Sequence, residues 1–223
     1  MNIEECLKKY SNSYYENMFA LSNTKTSDSY SHAIEFMHHY ALSDEDYLRE
    51  CYPLMEKVFK LSDSMEFDIY TSSLEILFQP DFHLFIHISS PIFTKENFLS
   101  VKNICKAYGE DYIYIVEDNY EETAIQLRIP SSISWNDLLS GGFMSNILFI
   151  MPYNKYRIFG SSGNWGRWCD YENTWIDYEI FGYKKENAEV IEYNRLMSLS
   201  EAEYDNLHQM AGVSPHLRKY FLT

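Results

Sequence analysis

"RIFGSSGNWGRWCDYENTW", Arg157 to Trp175, is the stretch whose reading decides the fold. It sets three tryptophans and three glycines among polar residues. The glycines and serines supply a bend with positive-φ positions. Tyr156, Ile158, Trp168 and Trp175 supply the aromatic and apolar ends of adjacent strands. The stretch therefore reads as a β-hairpin or bulged turn with Gly160, Gly163 and Gly166 in the bend. At least one of these glycines should hold a positive φ, and Trp165 and Trp168 should differ in exposure. The density of Trp and Tyr also leaves room for an exposed binding surface, because both are enriched at interface hot spots.

Outward from this hairpin the pattern stays β-like on both sides. "KYRIFGS", "GRWCDY" and "WIDYEIFGY" read as strands, as does "SNILFIM" before them. Further upstream, "DYIYIVED" and "TAIQLRIP" read as a hairpin around Asn119. "HLFIHIS" places Leu84, Ile86 and Ile88 on one face of a strand, and "FDIYTSSLEILF" reads as another strand. Helices interrupt the sheet. Thr94 caps one that carries Phe98, Val101, Ile104 and Cys105. Ser134 and Asp137 start a short one that stops at Gly141 and Gly142. Ser200 and Glu203 form a capping box for a last helix that ends at Gly212.

The first 63 residues read as helical. Ile3, Cys6, Leu7, Tyr10 and Tyr14 recur at helical spacing, and the Ser/Thr-rich loop "SNTKTSDSYS" follows. Ile34, Met37, His38 and Ala41 suggest a second helix. Ser43 and Asp46 then begin a third with Leu48, Cys51, Met55, Val58 and Phe59 on one face, and Pro53 within it is expected to kink it. The expected class is α+β: a helical N-terminal region, residues 1–63, and a mainly antiparallel β-sheet with flanking helices, residues 64–223. The two can also form one continuous domain.

Composition narrows the function. Of 223 residues 46% are hydrophobic and 17% aromatic, so a sizeable core can form and disorder is excluded for most of the chain. The net charge of −15 argues against binding nucleic acid or an anionic membrane, which require basic patches, and permits a basic partner. The four cysteines form no CxxC pair and do not resemble a disulfide framework. The opening "MNIEECLKKYSNSYYE" has no basic segment leading into an apolar one, and the longest apolar stretch, Ile147 to Met151, is strand-sized. The expected address is the cytoplasm.

Few residues carry a chemical signature. His32, Glu35 and His39 would stack on one side of a helix and could ligate zinc, yet the sequence nominates no fourth ligand. An ordinary polar helix face is the plainer reading. His83 and His87 share a strand face but sit about 13 Å apart at strand rise, too far for one metal, and read as surface or partner-facing residues. "GSSGN" fails the G-x-S-x-G nucleophile pattern at Asn164, and no phosphate-binding glycine loop is present. Cys169 is a conceivable thiol nucleophile, but strand alternation explains it more simply. No catalytic residue and no cofactor is expected.

The run from Ser134 to Tyr183 resembles a late segment of small bacterial proteins encoded beside secreted polymorphic or contact-dependent toxins. The resemblance rests on Gly141-Gly142-Phe143, on Phe159-Gly160-x-Ser162-Gly163-x-Trp165-Gly166 and on Phe181-Gly182. It implies an immunity role, binding and blocking a cognate toxin domain, and carries over no site residues. Charge adds a candidate surface. Glu110, Asp111, Glu117, Asp118, Glu121 and Glu122 form the densest acid run, with no Lys or Arg between Lys106 and Arg128. Together with Trp165 and Trp168 they are the expected partner-binding residues, against the plainer reading of a solvated hairpin tip. A hydrolase using a Glu or Cys in an aromatic cleft and an acidic adaptor subunit remain the alternatives.

Overall fold

A computed structural model describes residues 35–36, 38–61, 69, 73–88, 93–117, 126–140, 155–170 and 178–222. Six strands build one antiparallel sheet: β1 (His83–Ile88), β2 (Tyr112–Glu117), β3 (Gln126–Pro130), β4 (Lys155–Gly160), β5 (Trp165–Asp170) and β6 (Tyr178–Tyr183). Their spatial order is β1-β6-β5-β4-β2-β3. The hairpin expected at Arg157 to Trp175 is β4–β5, in register from Lys155↔Asp170 to Phe159↔Gly166. Its bend is a four-residue turn, in which the Gly163 N–H donates to the Gly160 carbonyl at 3.1 Å. Gly163 holds φ at +68°, a region that an L side chain rarely adopts.

Strand alternation sends two sets of side chains to two layers. Ile113, Ile115, Leu127, Ile129, Tyr156, Ile158, Trp165 and Phe181 face the first layer. There they meet α2 (Lys95–Tyr108), α3 (Trp135–Ser140) and α4 (Ala188–Met197) through residues such as Val101, Leu138 and Tyr193. Tyr114, Val116, Phe159, Trp168, Tyr178, Ile180 and Ile86 face the second layer. That layer comprises α1 (the consecutive Asp44–Asp46, Tyr47–Cys51 and Tyr52–Val58), α5 (Glu201–Ala211) and the 3₁₀ turns Leu74–Ile76 and Pro215–Tyr220. With both faces covered, the interior strands β5 and β6 are buried at every position. Antiparallel sheets more often leave one face to water.

Two glycines shape the second face. Gly166 and Gly182 are direct partners across β5 and β6, next to Phe159 on β4 and Leu84 on β1. Their missing side chains leave a trough in the sheet. Phe59 and Phe78 lie in it, paired by an isolated antiparallel bridge with ring centroids 4.8 Å apart. A Cβ on Gly166 would sit 2.6 Å from Val58 Cγ1 and 2.9 Å from the Phe59 ring; one on Gly182 would sit 2.5 Å from the Phe78 ring. The glycines of the decisive stretch therefore serve close packing as well as the turn.

The α+β class and the antiparallel sheet agree with the sequence reading, as do the Thr94 cap, the Ser200–Glu203 capping box and the αL Gly212 stop. Other expectations need correction. Leu48 is 63% exposed instead of sharing the buried face of Cys51, Met55 and Val58. The cause is a π-helical turn at Tyr47–Cys51, just before Pro53. Proline clashes with the carbonyl four residues back, and the wider turn removes that conflict while rotating Leu48 outward. Phe59 is extended, outside the helix. "FDIYTSSLEILF" ends in a 3₁₀ turn capped by Ser73, so Leu74, Leu77 and Phe78 are buried at turn spacing instead of alternating. Helix α4, capped by Asn187, was not anticipated. The first expected helix, the loop after it and the strand "SNILFIM" lie outside the described residues. Residues 41–59 share one core with the sheet: Ala41 bridges to Leu127 on β3, and the Leu42 N–H donates to the Gln126 carbonyl at 2.8 Å.

Replacing Gly166 or Gly182 with Ala is expected to lower stability by about 1–3 kcal/mol, because the ring beneath must move off its rotamer. Urea denaturation checks it; an unchanged midpoint would show that the trough can open without cost.

Candidate functional site

Buried charge marks the first candidate. Glu179 on β6 and Arg167 on β5 point into the first layer, and both are fully buried. The Arg167 Nε donates to Glu179 Oε2 at 2.9 Å, and its Nη2 donates to the same oxygen. His87, the partner of Glu179 across β1 and β6, donates from Nδ1 to Oε1 at 3.1 Å. Tyr193 on α4 donates its hydroxyl to Oε1 at 2.6 Å. The guanidinium also lies over the Phe93 ring, 4.9 Å from its centroid. Burial opposes ionisation of Glu179, but the Arg167 charge and the His87 hydrogen bond outweigh it and hold the carboxyl down at about 2. Burial pushes the Tyr193 hydroxyl well above its ordinary value. One carboxylate with four donors thus joins three strands to one helix. Its surroundings suit a fixed anchor more than a group that trades protons with solvent.

The second candidate lies in the decisive hairpin. Glu110, just after α2, turns its carboxylate into the β4–β5 bend. It accepts from Ser161 Oγ at 2.9 Å, the Ser162 N–H at 2.6 Å, Ser162 Oγ at 2.5 Å and the Trp165 indole N–H at 3.0 Å. Gly160 is required beside it, since a Cβ there would run into the Glu110 carboxylate and the Trp165 ring. Gly109, in the αL conformation at φ +69°, turns the chain so that Glu110 can reach the bend.

These contacts correct the expected partner surface. Trp165 and Trp168 do not differ in exposure: both are fully buried, on opposite faces of the sheet. Glu110 and Glu117 are buried as well, at 6% and 4% exposure. The acid run is also divided. Glu110 and Asp111 precede β2 and Glu117 ends it, so about 20 Å of strand separates the two groups. Asp111 is exposed, and Asp118, Glu121 and Glu122 lie outside the described residues. Of the possible zinc ligands, His32 lies outside them too; Glu35 and His39 are exposed, and His39 Nδ1 donates to the Glu35 carbonyl at 2.8 Å. His83 is exposed, but His87, expected at the surface, is fully buried. Cys51, Cys105 and Cys169 are buried thiols outside any disulfide, and burial pushes the Cys51 and Cys105 thiols up, away from the reactive thiolate.

Sequence reasoning missed the cluster of Arg167, Glu179, His87 and Tyr193. A signal existed: Arg167 and Glu179 each occupy an alternate position beside an apolar side chain on the same face of the strand, with opposite charge on neighbouring strands. Comparison of the chain with known protein families, curated proteins and solved structures gives no match. Among the described residues, no helix is long and apolar enough to cross a membrane.

Glu179→Gln is expected to destabilise the fold by about 3–5 kcal/mol, since it leaves Arg167 buried without its counter-charge. The native carboxyl sits near 2, below its ordinary 4.5, so its stabilisation is complete above pH 4.5 and is lost as pH falls towards 2. Denaturant titrations from pH 7 to pH 2.5 should show the wild type losing more stability than the variant; parallel losses would contradict the assignment. Glu110→Ala strands the buried indole N–H and should cost about 1–3 kcal/mol or more. The same titrations at pH 7 measure it, and a cost near zero would mean that water replaces the carboxylate freely.

Proposed function

We propose that the chain is a non-enzymatic immunity protein that binds and neutralises a cognate bacterial toxin domain, with an acidic surface making the first contact. The observation that carries this reading is the distribution of charge. The chain has a net charge of −15, and the second layer carries exposed Asp44, Glu45, Glu56, Glu201, Glu203 and Asp205. Two of that layer's cations are already matched: Arg49 by Glu45, Asp46 and Glu50, and Arg218 by Glu201. A toxin domain that acts on nucleic acid has to present a basic cleft. An acidic face opposite such a cleft raises the association rate and selects against acidic competitors.

The likeness of residues 134–183 to toxin-neighbouring proteins supports the same role. Glu110, Ser161, Ser162 and Trp165 are engaged with one another in a clamp inside the hairpin and are not available as contact residues. The partner surface is then sought on the second layer and on Asp118, Glu121 and Glu122, instead of on the buried tryptophans.

The experiment is kinetic binding to the toxin domain encoded beside this chain, at low and high salt. Association should slow as salt rises while dissociation changes less. Two charge reversals, Glu56 and Asp205 to Lys, and Asp118, Glu121 and Glu122 to Lys, separate the two surfaces; at least one should slow association about tenfold. Unchanged association in both would remove acidic steering from the interface. Failure to bind the toxin domain at all would sink the immunity role.

A further inference from the structure

At the end of the sheet where β1 begins, a cleft of about 630 Å³ opens between the loop before β1 and the C-terminal 3₁₀ turn. It straddles the edge strand: Phe85 and Tyr183 belong to the first face of the sheet, and Leu84 and Phe82 to the second. Its wall is mixed: the partly exposed rings of Phe82, Phe85 and Tyr220 stand beside polar side chains, while Phe78 and Tyr183 are buried, Phe85 being stacked on Tyr183 at 6.2 Å between centroids. Two ammonium groups line it, and neither has a carboxylate partner among the described residues. Lys60 Nζ donates to the Glu75 backbone carbonyl at 2.6 Å, and Lys219 Nζ lies 4.7 Å from the Tyr220 ring centroid. The nearby Lys184 differs, being paired with Asp81 at 3.0 Å. Glu75 is the one acid among the lining residues, and it is exposed.

We propose that this cleft is a binding site for a small organic anion with a flat apolar body, such as an aromatic carboxylate. A volume of about 630 Å³ falls within the ~300–1,000 Å³ typical of small-molecule sites, which combine apolar walls with a few placed polar groups. The partly exposed rings of Phe82, Phe85 and Tyr220 supply a surface for stacking. The two ammoniums, held at the walls of the cleft by a carbonyl and a ring, supply the charge that selects an anion. In a chain of net charge −15, two lysines against one glutamate among the lining residues make a local reversal of sign. The site uses different side chains from the acidic surface, so it stands or falls independently of the immunity reading.

Calorimetric titration of the full chain with three probes of one shape tests it: 2-naphthoate, 2-naphthalenemethanol and 2-naphthylmethylamine. Naphthoate should saturate with a dissociation constant below about 1 mM, the alcohol should bind at least about tenfold more weakly, and the amine weaker still. Lys60→Met with Lys219→Met should bring naphthoate to the level of the alcohol and leave the alcohol within about twofold. Lys219→Met alone, at an exposed position, gives the same direction if the double variant folds poorly. His83→Trp, which narrows the cleft from an exposed wall, should weaken naphthoate and alcohol together. Equal affinity for the three probes, an unchanged naphthoate affinity in the lysine variants, or no saturation by naphthoate up to about 1 mM would each overturn the proposal.

Discussion

Removing a carboxylate from water is among the costliest acts in folding, and this chain does it beneath its sheet, on the strand beside the edge. Glu179 is tolerable there only while Arg167, His87 and Tyr193 all point at it. The constraint reaches far along the chain, because the four residues belong to β1, β5, β6 and α4. A slip of β1 against β6 by a single residue would send His87 to the opposite face and leave Glu179 without that donor. The network therefore acts on the specificity of the fold as much as on its stability.

Glu110 does for the periphery what Glu179 does for the interior. It ties the end of α2 to the β4–β5 bend, and so fixes how the first layer sits at that edge of the sheet. On the opposite face the buried Asp170 accepts from the Tyr178 hydroxyl, and Gly166 and Gly182 open a trough that Phe59 and Phe78 close. Those rings belong to the segments that enter and leave the second layer, so the trough locates α1 over the sheet. Polar anchoring on one face and ring-into-trough packing on the other explain why the interior strands carry so little solvent-facing surface.

Much of this was legible in the sequence. All six strands were identified from their own residues, because runs of β-branched and aromatic side chains bounded by turn residues mark a strand even where both of its faces are buried. Ser, Thr and Gly marked helix ends wherever a side chain caps a backbone N–H or an αL residue stops the helix. The failures share a cause. Trp165 and Glu110 look like surface residues one at a time; only the fold brings the indole and the carboxylate together across 55 positions of chain. Leu48 followed ideal helical spacing, which a π-helical turn resets. Burial on both sides of the sheet hid the usual polar-outward half of the pattern, so a hairpin rich in tryptophan read as a binding surface when it is core.

The pairing of β1 with β6 joins positions 83–88 to 178–183, while the other paired strands described lie closer together along the chain. During synthesis β1 leaves the ribosome first and must wait for its partner. With nearly a hundred residues still to be added at ~5–20 per second, the wait is on the order of 5–20 s. Throughout that interval "HLFIHI" is an apolar strand with both edges unsatisfied, the kind of segment that neighbouring nascent chains can capture. Long-range closure of a sheet is also slow in itself, because the entropy of ordering the intervening chain is lost before the pairing gives anything back. The last strand to find its place is thus one of the first to be made, and its buried histidine cannot meet Glu179 until the sheet is otherwise complete.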